Sequence, residues 1–179
     1  MGRIARLLAF AVVALAAQST LVALSPVRDE LPDLVIAAIL FLATLDVGVV
    51  TGAALALVVG YFFDLLSGSP VGLHSLVFEF LYLSGRWIQR RFFLAGVLFE
   101  VTLAAGAVWA VAVAVIAVRV LAQEQPLAGV GDVAVQTAIR SVLTAVLAPA
   151  VFWVGNRMTA DRRPALSGRP LEPPARPVE

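Results

Sequence analysis

Apolar residues in this chain gather into six runs, separated by short polar or glycine- and proline-bearing links. The runs cover residues 4–24, 33–45, 47–66, 72–88, 92–118 and 133–154. A helix of about 17–25 mostly apolar residues matches the hydrocarbon thickness of a bilayer. The pattern therefore predicts an all-α, polytopic membrane protein, a six-transmembrane-helix bundle. The second run is short for a span. It borrows residues 27–32, tilts, or lies where the bilayer thins. The first run resembles a signal peptide at its start, with Arg3 and Arg6 ahead of it and Ala14, Leu15 and Ala16 as a cleavage-like step. It continues through Thr20 to Leu24. A signal peptide's apolar region is about 7–15 residues, so a retained membrane helix is expected.

Two domains follow from this layout. Residues 1–158 form the transmembrane domain. Residues 159–179 form a tail containing Pro164, Pro170, Pro173, Pro174 and Pro177 with interspersed arginines. Such a segment neither propagates a helix nor buries much surface, so a disordered cytoplasmic tail is expected.

Composition agrees with the patterning. Hydrophobic residues make up 61% of the 179 positions, and mean hydropathy is +0.96. Soluble domains hold roughly 45–50% apolar residues. Net charge is +1, which gives no case for nucleic acid. The chain has no Cys and one His, His74. Disulfides, thiol catalysis and thiolate metal sites are excluded, and neither a metal nor another cofactor is expected. Ser67, Ser69 and His74 lie close in sequence, but the spacing defines no nucleophile, base and acid. The expectation is not an enzyme.

All the basic residues are arginines, and their placement orients the bundle. With six spans and the N-terminus inside, Arg3, Arg6, Arg86, Arg90, Arg91, Arg157, Arg162, Arg163, Arg169 and Arg176 face the cytoplasm. Arg28 and Arg119 face out. This is the bias that sets membrane topology, and it puts both termini in the cytoplasm.

Two features bear on packing. Gly48, Gly52, Ala56 and Gly60 recur every four residues in the third run. Small residues one turn apart let a second backbone approach closely, as association in lipid requires. Ionisable residues also sit inside the runs, where a charge is costly unless it faces a partner, a cavity or other helices. Glu79 shares a helical stripe with Ser75, Tyr82 and Arg86, and Arg140 shares one with Gln136, Thr137, Ser141 and Thr144. Counted from their span starts, Glu79 and Arg140 both lie roughly 10 Å deep. Glu100 lies roughly 8 Å lower, within reach of a long arginine side chain. The expected buried charge network is Glu79 with Arg140, shared with Glu100. The residues leave open a structural ion pair, a polar-ligand site or proton path, and contact with a partner helix.

The run from Asp64 through Ser67, Gly68, Ser69, Pro70 and Gly72 to Leu73 carries turn chemistry between two helices. Ser67 or Ser69 is placed to cap the next helix, and Asp64 to bind the same donors. Leu31, Pro32, Asp33 and Leu34 open the second apolar helix, and a Gly/Ala-rich span then leads into this turn. Together these residues resemble the rod shape-determining protein MreD family, over about residues 1–160. The resemblance implies a fold similar to the substrate-binding S-components of energy-coupling-factor transporters. It implies a non-catalytic scaffold of the bacterial inner membrane, within the cell-elongation machinery that supports lateral peptidoglycan synthesis and rod shape. The implied partners are MreC most directly, then MreB, RodA and a class B penicillin-binding transpeptidase, with the lipid bilayer around them. In that reading Asp64, Ser67, Gly68, Pro70 and Gly72 shape an outward turn. The alternative is an S-component-like small-molecule (vitamin) binding subunit of a transporter, with an outward polar cavity lined by Glu79 and Arg140.

Overall fold

The computed structural model describes residues 2–25, 31–45, 47–67, 70, 72–92, 96–121 and 130–159. Within them the chain is helical: α1 (Gly2–Leu24), α2 (Leu34–Thr44), α3 (Val49–Ser67), α4 (Leu73–Phe92), α5 (Val97–Leu121) and α6 (Val130–Thr159). The described residues form no strand. The expected tail, beyond Thr159, lies outside the described residues, as do Asp46 and most of the link after α1.

The six runs correspond to the six helices, with shifted ends. α4 continues through Gln89, Arg90 and Arg91 to Phe92, where a link was expected, and α5 begins only at Val97. Four helices are long and apolar enough to cross a membrane: α1, α3, α5 and α6. The α2 and α4 helices fall short of that measure of length and composition for two different reasons. The α2 helix has 11 residues, a length of roughly 16 Å against a hydrocarbon core of about 30 Å. The α4 helix has 20 residues, but Glu79, Arg86, Arg90 and Arg91 lower its apolar character.

The α2 helix occupies the centre. Every residue from Val35 through Ala43 is buried, and the helix touches all five others. An apolar surface on every side marks a helix enclosed by protein. Around it, α3 pairs with α4, α5 pairs with α6, and α1 lies against α2, α6 and α3. Phe41 of α2 anchors the core. Its ring makes edge-on contacts with Phe10 of α1 at 5.1 Å and with Phe152 of α6 at 5.5 Å. Gly155 admits that ring, since a Cβ there falls 2.5 Å from it.

The outer surface has the opposite composition from that of a soluble protein. Val50, Phe62, Leu76, Phe80, Leu98, Val146 and Trp153 are all at least half exposed. Apolar surface on this scale calls for lipid or protein around it.

Candidate functional site: polar anchors at the helix ends

The Asp64 carboxylate is buried at the end of α3 and is used entirely in receiving the start of α4. It accepts from the backbone N–H of Gly72 at 2.8 Å, of His74 at 3.0 Å and of Ser75 at 3.4 Å. The Ser75 hydroxyl lies at 3.4 Å and His74 Nδ1 at 2.7 Å. A helix leaves its first four N–H groups without intrahelical partners and carries partial positive charge there. Asp64 satisfies three of those donors from a different helix. Ser67 Oγ instead bonds the Asp64 carbonyl at 3.4 Å. The His74 ring is held between Phe63 and Phe78. Gly72 has φ of +100°, a region that side-chain-bearing residues rarely adopt. Pro70 accepts a backbone bond from Leu73 at 3.2 Å. Gly68 lies outside the described residues, as do Ser69 and Val71.

The α3–α4 contact beneath this turn runs along the small-residue stripe. A Cβ on Gly60 falls 2.5 Å from the Ser75 Cα and 2.7 Å from its nitrogen, so the two backbones meet there. A Cβ on Gly52 collides with the Tyr82 ring and hydroxyl. Ala56 is fully buried between them. Gly48 departs from the expected stripe, because a Cβ there meets only Thr51 of its own helix.

The charge network differs from expectation. Arg140 pairs with Asp33, its Nη2 lying 2.7 and 2.8 Å from the two carboxylate oxygens. Asp33 stands immediately before α2 and is buried. Gln18 of α1 donates to the same carboxylate at 3.3 Å and accepts from the Leu34 N–H at 2.6 Å. The Thr144 hydroxyl of α6 accepts from the Asp33 N–H at 2.9 Å. Side chains from α1 and α6 thus satisfy the start of α2.

Glu79 and Glu100 are half-buried, and neither forms an ion pair or hydrogen bond among the described residues. Glu79 does not meet Arg140: α2 packs against both α4 and α6, whose backbones do not approach each other closely. Glu100 is not joined to Arg140 either: Ser141 bonds the Ala105 carbonyl at 3.4 Å, which puts Arg140 about six residues, roughly 9 Å, from the level of Glu100, and the guanidinium is turned to Asp33 instead.

The other end of α2 is held in the same manner. Arg86 is buried and donates through Nη1 to the Leu45 carbonyl at 3.0 Å and the Tyr82 hydroxyl at 3.3 Å. Gln89 donates to the Thr44 carbonyl at 3.2 Å. Cationic and amide donors suit the partial negative charge of a helix C-terminus. Sequence reasoning missed Asp33 and Gln18 as members of the polar network. The available signal was the shortness of the second run, which places its flanking polar residues at membrane depth.

Chemically, this arrangement holds helices. Its carboxylates and guanidinia are engaged with helix ends or with each other, and no group of three or more His, Cys, Asp or Glu among the described residues is placed to hold a metal ion. A family model described as "rod shape-determining protein MreD" matches residues 1–157 of the chain. No curated protein and no solved structure matches it.

Proposed function

Because the chain belongs to the MreD family of rod shape-determining membrane proteins, we propose that it serves as a non-catalytic scaffold of the bacterial cell-elongation machinery. The family match supports a part in rod-shape determination. In this proposal the bundle sits in the inner membrane with both termini in the cytoplasm. The α2 and α4 segments complete six membrane-embedded helices within an S-component-like architecture. MreC is the direct partner, and MreB, RodA and a class B penicillin-binding transpeptidase join the same complex to support lateral peptidoglycan synthesis.

The observation that carries the scaffold reading is the use of Asp64. A buried carboxylate occupied by three backbone N–H groups and two side chains is committed to geometry. It fixes the α3–α4 corner as a rigid feature at one end of the bundle. The distribution of arginines supports the orientation: Arg86, Arg90, Arg91 and Arg157 lie toward the opposite end from that corner.

The transporter reading calls for one polar cavity lined by both Glu79 and Arg140. The placement of α2 against both α4 and α6 favours the scaffold over that reading. Recovery of the detergent-solubilised protein with tagged MreC tests the scaffold. Co-elution is expected. An intact, monodisperse protein that leaves MreC behind overturns the reading.

A further inference from the structure

The α4 and α5 helices diverge over a cavity of about 530 Å³ that opens on the apolar outer surface, with Leu40 of α2 among the residues lining it. Its α4 wall includes Leu76, Phe80 and Gly85, and its α5 wall includes Gly106, Ala110 and Ala114. Gly106 and Ala110 are exposed, and a Cβ built on Gly106 meets nothing. Residues spaced by four on one helix face form the close-approach surface that helix association in lipid uses. Elsewhere in the fold such surfaces are filled, as Gly60 is by the Ser75 backbone.

One acid belongs to the same face. Glu100, Leu103, Ala107 and Val111 follow at three- and four-residue steps, so Glu100 lies one turn beyond the groove-lining Leu103. It is half-buried without an ionic partner among the described residues. It stands near the start of α5, at the end of the bundle that carries Arg86, Arg90 and Arg157.

We propose that the α4–α5 groove docks a single membrane-spanning helix of the partner protein, apolar along its middle, with a basic residue near its cytoplasmic end paired to Glu100. This rests on the scaffold reading above, with MreC as the partner whose span is tested. Charge complementarity selects the occupant. An acyl chain lying in the groove offers Glu100 no counter-charge. A spanning helix whose basic residues lie at its cytoplasmic end, where the positive-inside rule collects them, puts a cation at the level of Glu100. The small α5 wall then allows backbone approach that a lipid tail does not need.

The test uses the full-length chain co-expressed with tagged MreC. Gly106→Leu fills the groove from a position with open space around it, so the bundle retains its fold. Ala150→Leu, at an exposed position on α6, is the control. Recovery of MreC is expected to fall about tenfold with Gly106→Leu and to hold with Ala150→Leu. Glu100→Arg is expected to abolish recovery, and changing the basic residue at the cytoplasmic end of the MreC span to Glu is expected to restore it. Since the chain has no Cys, Ala110→Cys adds a direct readout: disulfide capture of a Cys placed mid-span in MreC. MreC recovery indifferent to Gly106→Leu and Glu100→Arg overturns the groove and leaves the scaffold standing; lipid as sole occupant gives this result. Equal loss with Ala150→Leu also overturns the groove. Failure of the unaltered protein to recover MreC overturns the scaffold reading and the groove together.

Discussion

Asp33 and Arg140 are 107 positions apart in sequence, yet the guanidinium reaches both carboxylate oxygens at 2.7 and 2.8 Å. The pair joins the start of α2 to the middle of α6. Arg140 is partly accessible, with 39% of its side chain exposed, whereas Asp33 is 7% exposed. Removing Arg140 therefore strands a buried acid, and removing Asp33 leaves a cation that retains some access to its surroundings. Arg140→Ala is expected to cost roughly 2–3 kcal/mol, and Asp33→Asn less. The double variant should be milder than the sum of the two. Reversible unfolding in mixed micelles measures all three. Strict additivity refutes the coupling. Glu79→Gln combined with Arg140→Ala should be additive, since those residues do not meet.

Asp64→Asn keeps the volume but replaces one accepting oxygen with an amide donor facing backbone N–H groups. Several bonds to a charged acceptor are lost or weakened at once. The expected loss is about 2–3 kcal/mol, larger than for His74→Ala, which leaves the backbone donors of α4 satisfied. Thermal inactivation profiles in detergent give the order. A smaller effect for Asp64→Asn than for His74→Ala contradicts the capping role.

The glycines of α3 separate by contact. Gly60→Ala drives a methyl into the Ser75 backbone, which side-chain rotation cannot relieve, so α3 and α4 must part. A cost of roughly 1–3 kcal/mol is expected. Gly48 immediately precedes α3, and a Cβ there meets only Thr51, so Gly48→Ala should cost under about 1 kcal/mol through the weaker N-cap. The two variants, measured under one unfolding protocol, should differ by a clear margin. Equal effects dismiss the close approach at Gly60.

Gly72 lies at φ of +100° with open space around its Cα. Gly72→Ala meets no neighbour, so its expected cost of about 1–2 kcal/mol is backbone strain alone. Gly106→Ala, inside regular helix with equally open space, should be stabilising by comparison. Stability curves for the pair isolate conformation from crowding, and a tolerated Gly72→Ala denies the left-handed requirement.

The α3–α4 unit was readable because its determinants are local. Asp64, Gly72 and Ser75 fall within a dozen residues, and the four-residue spacing of Gly52, Ala56 and Gly60 marks a helix face directly. The Asp33–Arg140 pair was not readable from periodicity. Counting depth from each run's start assumes that all helices begin at one level and that any two can be neighbours. The α2 helix breaks the first assumption with its 11 residues, and its central position breaks the second by separating Glu79 from Arg140. Two of the runs are weaker as spans for related reasons: α2 is short and enclosed by protein, and α4 carries the buried guanidinium of Arg86, which serves a neighbouring helix end.

The anchoring of α2 also dictates an order of biogenesis. Asp33 and its backbone N–H find Arg140 and Thr144 only on the last helix, more than a hundred residues later. In a nascent chain that has delivered α1 to α5, the polar contacts to the ends of α2 come from Gln18, Arg86 and Gln89, and Asp33 lacks its cation. The polar anchoring of α2 is therefore complete only when the final helix joins the bundle.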